Sequence, residues 1–86
     1  VGIAHEKIAG VLRAAGDLSG ALESYRTALR VYDELHRADP ANAQAARTLL
    51  IGHEHVAGAM ADAGDAAGAE REWLAAAQLA EALVQR

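Results

Sequence analysis

Apolar residues recur every three or four positions along almost the whole chain, the spacing that lines one face of an α-helix. Val1, His5, Ile8, Leu12 and Ala15 form the first such face. Gly16 ends it, because glycine reaches left-handed backbone angles without a Cβ clash. Asp17 or Ser19 then caps a second helix by accepting orphan backbone N–H groups. That helix carries Leu18, Leu22, Tyr25, Leu29, Tyr32 and Leu35 on one stripe and runs to about Ala38. Arg30 with Glu34 and Asp33 with Arg37 stand four apart on its solvated side, worth a few tenths of a kcal/mol per pair. Asp39-Pro40-Ala41-Asn42 is read as a linker: proline lacks the donor to continue a helix, and it biases Asp39 away from helical angles. Asn42 caps a third helix with Ala46, Leu49, His53, Val56, Met60 and Ala63 on its stripe. Gly64-Asp65 repeats the turn, and a fourth helix follows with Ala69, Trp73, Ala76, Ala80 and Leu83. The expectation is an all-α chain of four helices in two antiparallel hairpins.

The two hairpins are copies of one another. A shift of 48 positions, from Ile3 to Ile51, also lays His5 on His53, Glu6 on Glu54 and Ala9-Gly10 on Ala57-Gly58. Ala15-Gly16-Asp17 falls on Ala63-Gly64-Asp65, Gly20-Ala21 on Gly68-Ala69, Ala28 on Ala76 and Leu35 on Leu83, with no gap. Alanine coincides by chance in such a chain, so the glycines, histidines and Gly-Asp pairs carry the match. Residues 1–38 are the first copy, 39–42 the linker and 43–86 the second copy. Val1 aligns with Leu49, inside the third helix, so the first copy is expected to lack its opening turns. With no initiating methionine, the chain is expected to be processed or excised from a longer array.

Composition narrows the function classes. Apolar residues make up 52% of the 86, but aromatics only 3%, and there is no phenylalanine. The core is therefore expected to be thin and to depend on close approach of alanine-lined helices, in a domain small enough to be marginal alone. A net charge of −4, with its eight basic residues scattered, argues against a nucleic-acid surface, which needs clustered lysine and arginine. With no cysteine, disulfides and thiolate metal sites are excluded. No apolar run reaches the ~20 residues of a membrane span, and no signal peptide is visible. A cytoplasmic location is the resulting expectation.

A helix pair with small residues at its crossing, a Gly-Asp turn and an Asp-Pro exit resembles the tetratricopeptide repeat (TPR). The residues that carry the resemblance are Ala9, Gly16-Asp17, Ala21, Tyr25 and Ala28, then Ala57, Gly64-Asp65, Ala69, Trp73 and Ala76. It covers nearly the whole chain. Two departures stand out: the usual period is about 34 residues, and the bulky aromatic near the start of the first helix is replaced by His5 and His53. The longer period is similar to a long-helix variant found in bacterial arrays, some attached to signalling proteins such as protein kinases. The resemblance implies two stacked hairpins of an α-solenoid, with Ala9 and Ala21 allowing close approach and Tyr25 and Trp73 filling the space between neighbouring pairs. It further implies a groove lined by the first helices that holds an extended peptide or a partner helix. On this chain that surface maps to Ile3, Glu6, Lys7, Gly10 and Arg13, with Ile51, Glu54, His55, Gly58 and Asp62 as their counterparts. Glu6, Gly10, Glu54 and Gly58 stand where the carboxylate-clamp subset has its lysines and asparagines, which argues against a clamp.

Other chemistry finds little support. Mid-helix Gly10 and Gly58 each cost about 1 kcal/mol against alanine; either a ligand backbone approaches there or helices pack tightly, and packing is the favoured reading. In His53-Glu54-His55 the histidines are two apart, about 200° around the helix axis, so one ion cannot readily take both. A zinc-protease helix needs histidines four apart, and His5-Glu6 has Ala9 there instead. Packing in place of an aromatic is the favoured role for His5 and His53. No nucleophile has a local partner and no phosphate loop follows a strand, so neither enzyme nor cofactor is expected. The leading expectation is a protein- or peptide-binding scaffold. The alternative is a structural spacer or self-association module, since repeats cut at their ends leave apolar faces open.

Overall fold

The computed structural model describes residues 2–85, which form four α-helices: α1 (Gly2–Ala14), α2 (Leu18–Ala38), α3 (Ala43–Asp62) and α4 (Ala66–Val84). No strand occurs among the described residues. The fold is all-α. Helix α1 pairs with α2 and α3 with α4 as hairpins, and α2 lies against α3 to join them.

Each hairpin turn is closed by the same bonds. Gly16 and Gly64 take φ of +88° and +87°, the left-handed region that glycine enters most freely. The N–H of Asp17 reaches back to the Leu12 carbonyl at 2.8 Å and that of Gly16 to Arg13 at 3.1 Å. Asp65 and Gly64 make the equivalent bonds to Met60 and Ala61. These are the paired bonds of a Schellman stop, which satisfy carbonyls at a helix end. The aspartate then works forwards as well. Asp17 accepts from Gly20 N–H at 3.0 Å and Asp65 from Gly68 N–H at 2.8 Å, capping α2 and α4. One Gly-Asp dipeptide thus ends one helix and starts the next within three residues. Between the hairpins, Asn42 caps α3 by accepting from Gln44 and Ala45, and Asp39 closes α2 by donating to Leu35.

The core is largely alanine, as the composition demands. Ala9, Ala21, Ala57, Ala59 and Ala69 are completely buried, and they share a cluster with Tyr25, Val56 and Met60. A second cluster joins Ala28, Tyr32 and Leu49. Val56 is the largest side chain fully out of solvent. Close approach is visible around Tyr32, whose ring is flanked by backbone on two helices. A Cβ added at Gly52 would stand 3.1 Å from its Cδ2, and one at Gly2 would collide with its Cε1.

Several stripe residues do not reach this core. On α1 the buried positions are Gly2 and Ala9, while Ile8 is exposed. Leu35 is exposed too, and Trp73, expected between hairpins, remains 49% exposed where its counterpart Tyr25 is only 7%. The reason is coverage: α3 lies over Tyr25, and no described element lies over Trp73. Ala15 and Ala63 fall in the turns, and Ala80 is exposed. Val1, placed on the first stripe, lies outside the described residues. Of the two surface pairs, Asp33 and Arg37 meet at 2.9 Å, whereas Arg30 turns to the Thr27 hydroxyl.

Candidate interaction surface

Helices α1 and α3 are the first helices of their hairpins, and their side chains meet across a seam. His55 Nδ1 lies 2.9 Å from Glu6 Oε1. Nearer the turns, Arg13 Nε donates to Asp62 Oδ2. Both contacts join residues 49 apart, one more than the repeat period. A position on the first copy therefore meets the following position on the second. The Arg13 guanidinium also passes over Gly58, where an added Cβ would stand 3.2 Å from both terminal nitrogens. Its hydrogen bond to Asp62 raises the arginine pKa further, with burial opposing.

Two tyrosines of α2 stand beneath this seam. Tyr25 lies with its ring centroid 5.2 Å from that of His55, tilted by 41°. Burial pushes the Tyr32 hydroxyl from its usual 10 up to about 12, helped by the Glu6 charge and by a hydrogen bond to that carboxylate. Glu6 thus pairs with His55 of α3 and acts electrostatically on Tyr32 of α2.

Nine of the ten residues mapped to the groove now separate into two sets, with Gly58 between them. Glu6, Arg13, His55 and Asp62 are engaged with one another and tie the helices together. Ile3, Lys7 and Gly10 on α1, with Ile51 and Glu54 on α3, face solvent. Ile3 is 65% exposed and Ile51 45%. The glycines also differ. Gly58 is covered by Arg13, which is a packing role, whereas a Cβ at Gly10 would meet nothing within 4 Å. At one end of the exposed strip, Ile3 borders a cleft of about 520 Å³ walled by Tyr32, Leu35, Ala45 and Thr48 among others.

The histidines point to different helices. His53 Nδ1 lies 3.2 Å from Glu72 Oε1 on α4, within the second hairpin, while His55 turns to α1. No group of three or more His, Asp or Glu side chains gathers at metal-binding distance among the described residues. The His53–Glu72 contact was not foreseen. The first copy has His5 and Ser24 at the equivalent positions, so the repeat gave no sign of it.

Among the described residues, no helix is long and apolar enough to cross a membrane. Comparison with protein-family models, with curated proteins and with solved structures gave no significant match.

Proposed function

We propose that the protein is a tetratricopeptide-like interaction module and that the outer strip of α1 and α3 holds a peptide or a partner helix. The observation that carries this reading is the pair of exposed isoleucines. Ile3 and Ile51 occupy equivalent positions of the two copies and are both far from buried. Neither is needed to close the core, and repeated exposed aliphatics on one face suit an apolar partner surface. Gly10 leaves the backbone of α1 open on the same face, and Lys7 and Glu54 supply one charge of each sign along it. The cleft beside Ile3 falls in the size range of small-ligand sites, and a partner side chain would occupy it.

This assignment involves no catalysis, and proteins or peptides are the partners. The test is a selection of peptides against the whole chain, followed by calorimetry with Ile3→Asp/Ile51→Asp. Binding lost in that variant, with helicity unchanged, supports the strip. Equal affinity in the variant, or no peptide selected at all, favours a spacer.

A further inference from the structure

We propose that the two end faces of the molecule are the two halves of one interface, and that a second copy of this chain docks on it head to tail. The internal junction between hairpins is the template. There, Val56 and Ala59 of α3, 1% and 0% exposed, share the core cluster with Tyr25 of α2. The 48-residue equivalents of Val56 and Ala59 are Ile8 and Val11, which stand 52% and 69% exposed on α1. The equivalent of Tyr25 is Trp73, 49% exposed on α4. One end of the molecule thus displays the covering half of the junction, and the other end displays the covered half.

The charged positions are matched as well. By the same register, Glu6–His55 becomes Glu54 of one copy facing Lys7 of the next, again an acid against a cation-forming side chain. Arg13–Asp62 becomes Ala61 facing Ala14, so where one charge is lost its partner is lost too. Tyr32, which has Gly52 opposite, becomes Ala80 with Ala4 opposite, so the end contact lacks the ring that fills the internal junction. His55 beside Tyr25 becomes Lys7 beside Trp73, a cation placed over an indole. The placing of Lys7 opposite both Glu54 and Trp73, across faces which do not touch within one molecule, makes sense when the faces meet between molecules. A head-to-tail contact leaves both outer ends free, so it propagates instead of closing as a dimer. The proposal concerns the ends of the molecule and is argued without the exposed isoleucines of the peptide strip, although Lys7 and Glu54 border both surfaces.

Sedimentation over a wide concentration range, read together with fluorescence of the single tryptophan, tests this. Average mass is expected to rise beyond a dimer with concentration, with a blue shift in Trp73 emission. Lys7→Glu and Glu54→Lys each place like charges in the contact, and each is expected to weaken association about tenfold or more. An equimolar mixture of the two variants should associate again, as should the double variant, because opposite charges then meet at every contact. Both side chains are exposed, so circular dichroism should report unchanged helix content. A monomer at every concentration, association that stops at a dimer, association indifferent to either single substitution, or single variants that fail to recover on mixing would each overturn the proposal.

Discussion

Glycines in this chain have opposite consequences according to where they stand. Gly64 sits at a φ of +87° in the turn, so Gly64→Ala is expected to cost about 1–2 kcal/mol, the penalty of a Cβ in the left-handed region. Gly10 is mid-helix with open space around it, so Gly10→Ala should stabilise by about 0.5–1 kcal/mol through helix propensity. Chemical denaturation of the two variants checks both signs, and a stabilised Gly64→Ala would contradict the turn geometry. The Gly-Asp motif announced its own role in the sequence, because only one backbone conformation needs that order of residues. Tyr32 is different: nothing around position 32 in the chain hints at Glu6. Its hydroxyl, held up to about 12 by burial and then by Glu6, is neutral in the fold at a pH where an unfolded tyrosine ionises. The stability this contributes is complete below pH 10 and falls as pH rises towards about 12. Ultraviolet titration should find a tyrosine ionising near that upper value, and Glu6→Gln should lower the midpoint.

Helices and their limits were largely written in local sequence. The caps at Asp17, Asn42 and Asp65 accept the bonds their positions suggested, because a cap is a contact over two or three residues. Which face each helix buries was less legible. Ile8 and Leu35 have the right spacing for a core stripe and are exposed, since periodicity finds an apolar face without saying what covers it. Alanine worsens the ambiguity by lining several faces at once. The α2–α3 contact turns on bulk against absence of bulk, with Tyr32 and Leu29 on one side and Gly52 on the other. Gly52→Leu is therefore expected to destabilise by about 1–3 kcal/mol through overpacking, measurable as a lowered Tm. The Arg13–Asp62 pair is exposed by more than a third on each side chain, so Arg13→Ala should cost less than about 1 kcal/mol. A larger loss would mean that its passage over Gly58 contributes more than the ion pair.

Across the whole molecule, stability is expected to be uneven. Helix α1 is the shortest, at 13 residues, and only Gly2 and Ala9 of it are buried. Helix α3 has seven buried residues and neighbours on both sides. Amide exchange should therefore be fastest in α1 and slowest in the middle of α3; protection of α1 equal to that of α3 would show that the hairpins do not open separately. An end-on contact of the kind proposed above would slow exchange in α1 as concentration rises. Of the candidate surface, the sequence identified the helices and the equivalent positions through the repeat. It could not divide those positions into seam and strip, because Glu6, Arg13, His55 and Asp62 pair only when two helices 49 residues apart in sequence lie side by side.

Helical content, the turn chemistry, the duplication and the alanine-rich core follow from residue order, since each depends on contacts within a few positions or on a fixed period. Solvent exposure of Ile3, Ile8, Ile51 and Trp73, the clasp of Tyr32 between glycines and the pairing of the histidines with Glu6 and Glu72 come from how the helices are set against one another. A backbone propensity is a property of neighbours in the chain. Burial and ion pairing are properties of neighbours in space.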